Sequence, residues 1–318
     1  MKYRRLGTTG LRVSVIGVGT WQLGGEWGRR FTQGEVDELL GRARTLGVNL
    51  VDTAECYGDH LAEALIGPAI HHHREDWVVA TKFGHQFHPE ALHQHDRSPV
   101  QLRTDHWTPT EVVAQLEGSL RALRTDHVDL YQMHSASDEV FSRHDLWEAL
   151  NQQVTDGKVH HLGVSLGAGD VEQARRVAEV GASVLQVGYN RLDQSAEQGV
   201  LPVALDQDLG VIIREPLANG YLSGKYRPGA WVTARDDWRS GHDPAEAQRK
   251  LELVAQIGRT EVPAGVDMAP WAIAWCLRHP AVSCVVAGAK SVQQLESNAA
   301  AADLDVVRDD HPQAVPTV

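Results

Sequence analysis

Short apolar runs alternate with amphipathic stretches along this chain from end to end. Val13 to Val18 reads as a strand. Glu35 to Leu46 carries apolar residues at helical spacing and stops at Gly47, a favourable helix end. Val48 to Val51 is a short strand closing on Asp52, and His60 to Ile70 is helical. Trp77 to Ala80 is a strand leading into Thr81-Lys82. Thr108-Pro109-Thr110-Glu111 predicts a helix N-terminus, with proline in the first turn of a helix reaching Leu123. Val128 to Met133 is a strand with His134 at its end.

The alternation continues. Leu146 to Asp156 is a helix ended by Gly157, and His161 to Val164 a strand. A helix from Val171 to Val180, a strand from Val184 to Val187 and a helix from Val200 to Asp208 follow. After the strand Val211 to Ile213 come two helices, Ala245 to Ile257 and Met268 to Arg278. Ser283 to Val286 is the last strand, and a final helix begins near Ser291.

Eight strands, each followed by helix, predict a parallel sheet with right-handed crossovers. Eight repeats favour closure into a (β/α)₈ TIM barrel, an α/β fold, over an open doubly wound sheet. The first turn agrees: Gly17-Val18-Gly19-Thr20-Trp21 lacks the third glycine of a dinucleotide fingerprint and opens no helix at once. We expect one domain spanning residues 1–318, since no linker interrupts the alternation. Two long loops, 84–107 and 218–243, both follow strands and are expected on the catalytic face of the barrel.

Composition narrows the function. The 318 residues carry a formal charge of −12, which disfavours a nucleic-acid partner and leaves any anionic ligand to a local basic pocket. Three cysteines without a CxxC pair argue against a disulfide framework. No apolar run suggests a signal peptide or a membrane span, so a cytoplasmic location away from membranes is expected.

The strand ends hold the candidate chemistry. Asp52 with Tyr57, Lys82 and His134 converge on one mouth if the sheet closes. A tyrosine with a pKa of about 10 donates poorly at neutral pH, and a nearby ammonium stabilises its phenolate. Asp52 would keep Lys82 charged, and His134 would orient a substrate oxygen. Such a set suits protonating a carbonyl oxygen as hydride reaches carbon.

Asp52-Thr53-Ala54-Glu55-Cys56-Tyr57-Gly58, Thr81-Lys82-Phe83-Gly84 and Val128-Asp129-Leu130-Tyr131-Gln132-Met133-His134 resemble the catalytic signatures of the aldo-keto reductase superfamily. Gly163-Val164-Ser165 and Gln186 resemble its nicotinamide positions. Glu215-Pro216-Leu217 through Ser223-Gly224-Lys225-Tyr226 is similar to its cofactor-covering segment. Val286 to Ser291 with Gln294 and Asn298 resembles its adenosine-phosphate end. The resemblance covers almost the whole chain in order. It implies a barrel that binds NADPH or NADP in preference to NAD and transfers hydride to an aldehyde or ketone, reversibly toward the alcohol. Tyr57 would be the acid, Lys82 and Asp52 its tuning pair, His134 the orienting group.

The cofactor residues expected on that basis are Gly19, Thr20, Trp21, Asp52, Ser165, Gln186, Arg214, Pro216, Leu217, Gly220, Leu222, Gly224, Lys225, Gly288, Ala289, Lys290, Gln294 and Asn298. Three positions depart from common family usage. Leu166 stands where Asn often follows the serine, Arg214 where an aromatic residue often faces the nicotinamide, and Gln294 where several members carry Arg. The last weakens the NADP preference without reversing it.

Taken singly, each residue has an ordinary explanation as a cap, a loop charge or a core group. Their joint placement at successive strand ends makes the case. His71-His72-His73, His85, His88, His93 and His95 read as solvated loop residues, and no metal is expected. Cys56 reads as small apolar filler. Trp21, Trp27, Trp107, Trp231 and Trp238 are candidates for a substrate wall. A small carbonyl or alcohol substrate is expected, on a monomer or homo-oligomer. Two alternatives stand beside the reductase. One is an NADPH-binding redox-sensing subunit, because Trp271 to Arg278 and Gly288 to Asn298 look like the potassium-channel β-subunit branch. The other is a sugar-modifying oxidoreductase, to which Arg214 and loop 84–107 would suit.

Overall fold

In the computed structural model, residues 1–87, 103–230 and 237–315 are described. Eight parallel strands form a closed ring: β1 (Ile16–Gly19), β2 (Leu50–Asp52), β3 (Val78–Phe87), β4 (Val128–Met133), β5 (Val159–Leu166), β6 (Ala182–Gly188), β7 (Gly210–Arg214) and β8 (Cys284–Gly288). Each pairs with its successor, and β8 returns to β1 through Val285↔Ile16 and Gly288↔Gly19. The ring is the (β/α)₈ barrel that the alternation predicts, in place of the disfavoured open doubly wound sheet.

The outer ring comprises α1 (Gln33–Thr45), α2 (Leu61–Ile70), α3 (Pro109–Leu123), α4 (His144–Thr155), α5 (Val171–Arg176), α6 (Val200–Asp206), α7 (Pro244–Thr260), α8 (Met268–Leu277) and α9 (Val292–Ala299). Capping boxes start two of them: Thr32 with Glu35 on α1, and Thr108 with Glu111 on α3, where Pro109 occupies the first turn as expected. Among the described residues no helix is long and apolar enough to cross a membrane.

Alternation along the strands sorts the side chains. Outward residues such as Val51, Val79, Tyr131 and Leu185 join the large core beneath the helices. Inward residues Leu50, Val78, Ala80, Leu130, Val184, Ile212 and Cys284 form a second, smaller core inside the ring. Both faces are buried, which is why these strands read as near-continuous apolar runs. Gly17 leaves room for this interior, because a Cβ there would sit 2.9 Å from Leu50 Cδ2.

The predicted first strand, Val13 to Val18, is two elements. Arg12–Ser14 pairs antiparallel with Tyr3–Arg5, which also pairs with Ala314–Val315, and closes the barrel floor. The break has a local cause: Asn49 Oδ1 accepts from the Ser14 N–H at 2.6 Å, and Ser14 Oγ donates to Ile16 O at 2.7 Å. Leu6, fully buried, plugs the floor against the inner core. The third strand runs further than predicted. It continues past Lys82 to Phe87 and pairs antiparallel with Arg103–His106. Residues predicted as polar loop therefore extend the sheet above the mouth. The helix predicted from Val171 to Val180 ends at Arg176, with a short 3₁₀ turn over Ala178–Val180.

Candidate active site

The inward face changes from apolar at the floor to polar at the C-terminal mouth. One step beyond Leu50, Ala80, Leu130 and Val184 on their strands stand Asp52, Lys82, Gln132 and Gln186, all buried. Strand pairing brings them side by side, with Lys82 opposite Gln132. Lys82 Nζ donates to Asp52 Oδ2 at 2.7 Å and to Thr53 O at 2.8 Å. Gln186 Nε2 donates to Asp52 Oδ1 at 2.7 Å, and Gln132 Nε2 reaches the same oxygen at 3.3 Å. Burial works against the Lys82 ammonium. The Asp52 charge, then Tyr57, then the Asp52 hydrogen bond more than offset it, so its pKa is raised and the lysine stays charged.

Tyr57 stands on the loop after β2, over this layer. Lys82 Nζ lies 5.2 Å from its ring centroid. The loop is pinned at both sides. The Thr53 N–H donates to Ala80 O at 2.9 Å, and Gly58, at φ 68°, presses so close to the segment after β1 that a Cβ would sit 2.5 Å from Gly24 O. That approach sets Trp21 parallel to Tyr57 at 6.3 Å. His134 follows β4, its backbone N–H bonded to Phe83 O at 2.8 Å. Its ring meets Tyr57 edge-on at 6.1 Å and His85 at 4.9 Å. Cys56 Sγ lies 3.5 Å from His134 Nδ1.

Beneath the loop is a buried acidic pair. Glu63 accepts from Thr81 Oγ1 at 2.6 Å and contacts His60 Nδ1 at 2.5 Å. Glu55 Oε1 accepts from the His85 N–H at 3.0 Å. Burial, opposed by that hydrogen bond and aided by the Glu63 charge, pushes Glu55 up to about 7.

Above Asp52, Tyr57, Lys82 and His134 opens a cleft of about 850 Å³. Its lining includes Gly19, Thr20, Trp21, Asp52, Ser165, Gln186, Arg214, Pro216, Leu217 and Gly220 from the expected cofactor set. Lys225, Gly288, Lys290, Gln294 and Asn298 line its far end. Leu222, Gly224 and Ala289 are not part of the lining: Gly224 is exposed, Leu222 and Ala289 are fully buried, and the Ala289 carbonyl accepts from Gln22 Nε2 at 3.0 Å. Tyr57 and His134 border the same space, while Lys82 sits under its floor.

At the far end, Ser291 Oγ caps α9 by accepting from the Gln294 N–H at 3.3 Å, and Gln294 Oε1 accepts from the Lys290 N–H at 2.9 Å. Lys290 Nζ donates to Trp27 O at 2.9 Å. Burial, then the neighbouring charge of Arg239, lowers the Lys290 pKa. Arg239 holds Asp237 bidentately at 2.8 and 2.6 Å and lies over the Trp27 ring at 4.8 Å. Lys225, Arg239 and Lys290 line the cleft of an acidic protein, Arg239 with its charge engaged by Asp237. Arg214 is paired with Glu215 and bonded to Leu166 O at 3.4 Å, so its charge is partly engaged by the protein.

Sequence reasoning gave Gln132, His85 and Arg239 no role of their own, although all three border the site. Gln132 was signalled by alternation, being a polar residue two before His134 in an apolar strand. His85 had been grouped with the solvated histidines. His71, His72 and His73 are exposed on a 3₁₀ turn, but the extended β3 carries His85 inward to the cleft. Arg239 lies in the 218–243 segment expected on the catalytic face, but no periodicity singled it out there. Of the tryptophans, Trp21 and Trp27 line the cleft and Trp238 packs on both at 5.2 and 5.6 Å. Trp107 lies under Arg143 instead. His88, His93, His95 and Trp231 lie outside the described residues.

Fold and site together define an oxidoreductase built on a (β/α)₈ barrel. The chain belongs to the aldo/keto reductase family, whose model matches residues 15–315. It is 32% identical to the uncharacterized oxidoreductase YrpG of Bacillus subtilis over 96% of this chain and 92% of that protein. It is 31% identical to a probable voltage-gated potassium channel subunit beta of Oryza sativa, over 96% and 92% of the two chains. Among solved structures it is similar to the holo form of the aldo-keto reductase AKR11C1 from Bacillus halodurans, with 25% identity, a TM-score of 0.76, and 96% of this chain and 91% of that one covered. Members of this family generally use NAD(P)H.

Proposed function

We infer that the protein is an NADPH-dependent reductase of aldehydes or ketones, reversible toward alcohol oxidation, with Tyr57 as the acid. The observation that carries this reading is the buried Lys82–Asp52 pair placed beneath Tyr57 with His134 beside it, all opening on one cleft.

The cleft suits a nicotinamide dinucleotide phosphate. Its wall at Gly288 is bare backbone, where a Cβ would sit 2.9 Å from Gln22 Oε1, and Gly19 lies against the same strand end. Lys225 and Lys290 supply positive charge for phosphates, and the N-terminus of α9 adds backbone N–H groups. Ser165 and Gln186 would hold the carboxamide, and Gln294 and Asn298 the adenosine end. When bound, the cofactor supplies the hydride.

The protein's own groups handle the proton. Tyr57 donates its hydroxyl proton to the carbonyl oxygen, and the Lys82 charge stabilises the phenolate left behind. Asp52, fixed by Gln186 and Gln132, keeps Lys82 protonated and aimed. His134 positions the carbonyl oxygen. Trp21 and Trp27 wall the substrate space and exclude water.

Fluorescence titration with NADPH and NADH, followed by an NADPH-consumption screen over aldehydes, ketones and keto-sugars, tests the reading. Expected are tighter binding of NADPH than NADH and turnover of at least one carbonyl, lost in Tyr57→Phe with cofactor binding retained. The similarity to a channel β subunit supports a second reading, cofactor binding that reports redox state to a partner. Binding without turnover of any carbonyl would favour it, and absence of binding would overturn both.

A further inference from the structure

Cys56 was expected to be apolar filler, yet its surroundings are those of a ligand atom. One oxygen of Glu55, the Cys56 sulfur and a His134 ring nitrogen all lie within 4.8 Å of one another. The sulfur and Nδ1 are 3.5 Å apart. Zinc bonds of about 2.3 Å to sulfur and about 2.0–2.1 Å to nitrogen put two tetrahedral ligands about 3.5 Å apart, so this pair already has the required spacing. Glu55 is 3% exposed, and its Oε2 has no hydrogen-bond partner among the described residues. A buried carboxylate oxygen without a donor is a group that a cation would satisfy.

We propose that Glu55, Cys56 and His134 form a site for a thiophilic divalent cation of the zinc type, reached from the cleft, and that its occupation reversibly inhibits the protein. The ligand set is thiolate, imidazole and carboxylate, which suits zinc and excludes magnesium and calcium. On binding, the Cys56 thiol gives its proton to solvent, the sulfur and the Nδ1 lone pair each bond the metal, and one Glu55 oxygen completes three protein ligands. The fourth position faces the cleft, where water fills it. The bound ion takes the His134 ring and stands beside Tyr57, so a carbonyl cannot be seated. The inhibition rests on the function proposed above; the site itself does not.

A second ligand group, His127, Asp129 and His160, lies at the opposite end of the barrel. It is compromised by Arg74 Nη2, which holds Asp129 Oδ2 at 2.6 Å, and by Asp126, which holds His127 Nδ1 at 2.8 Å. It contains no sulfur, so the two are separable spectroscopically.

The test is titration of the full chain with Co²⁺, read by absorbance, and then displacement by Zn²⁺. His160→Ala serves as the background in which the second group is removed. The expected result is one equivalent bound with a thiolate-to-cobalt charge-transfer band. That band is lost in Cys56→Ala and Cys56→Ser, and binding is at least tenfold weaker in Glu55→Gln, with each variant's folding checked by thermal melting. Zn²⁺ should then abolish carbonyl turnover, relative to each variant's own metal-free rate, and EDTA should restore it. No thiolate band, or unchanged binding in both Cys56 variants, would overturn the site. A band without inhibition would overturn the inhibitory part of the proposal. A band in a protein that turns over no carbonyl at all would uphold the site and count against the reductase reading instead.

Discussion

Replacing Lys82 by Met separates the electrostatic part of the proposed site from its shape. Met keeps an unbranched apolar stem but deletes a charge that lies 5.2 Å from the Tyr57 ring centroid. At an effective dielectric constant of about 20, a unit charge at that distance is worth about 3 kcal/mol to a phenolate. Each 1.4 kcal/mol is about tenfold in rate, so kcat/KM for a carbonyl should fall by about 10²-fold, and by more if the lost hydrogen bonds also loosen Asp52. Lys82 itself does not line the cleft, so the Kd for NADPH should change by less than about threefold. Stability should fall too, because Asp52 is left as a buried carboxylate held, among the described residues, by Gln186 and Gln132. Breaking such a pair typically costs about 3–5 kcal/mol. The double variant Lys82→Met with Asp52→Asn removes the orphaned charge and should melt above the single variant while staying equally inactive. Single-turnover absorbance at saturating cofactor, with fluorescence titration and thermal melting on the same samples, reads all three quantities. A folded Lys82→Met protein that kept more than a tenth of the wild-type rate would refute the argument that this ammonium stabilises the phenolate.

Gly67 lies inside α2, where alanine would ordinarily gain about 1 kcal/mol. Here a Cβ would meet Ala122 O and the Leu123 carbonyl at 2.6 Å, so Gly67→Ala should destabilise by about 1–3 kcal/mol, measured by urea melts; a neutral result would show that α2 and α3 separate easily. Lys290→Ala should weaken NADPH more than NADH, by about tenfold, in paired fluorescence titrations, and equal losses would remove Lys290 from 2′-phosphate recognition. The His311 ring accepts from the Gln313 N–H at 3.2 Å through Nδ1, so the neutral ring is the one that fits. Burial, then the Arg4 charge, pushes its pKa down from 6.5 to about 4. The unfolded chain binds this proton first, so stability is complete above pH 6.5 and falls as pH drops toward 4, by about 1–2 kcal/mol after allowance for solvent screening. His311→Asn should flatten that part of the pH–stability curve; an unchanged slope would mean the ring contributes nothing to it.

The alternation of apolar runs with amphipathic stretches was enough to determine eight β/α units and, with them, the barrel. That information is local, because a parallel strand buried on both faces must be apolar throughout, and a helix covering it must be amphipathic. Asp52, Lys82 and His134 were legible for the same reason: each is a polar residue at the end of an apolar run, and strand ends of a closed barrel meet at one mouth. Pairing register was not local. Only the folded chain puts Gln132 and Gln186 on Asp52, lifts His85 to the cleft on an extended β3, and brings Arg239 over Trp27 from a loop with no periodicity. The Cys56–His134 contact joins residues 78 positions apart, a separation that no spacing rule reaches. The sequence, through the period of its side chains, determined which residues face inward; closure of the ring decided which of them touch, since contact across the mouth depends on strand order and shear rather than on any neighbour in the chain.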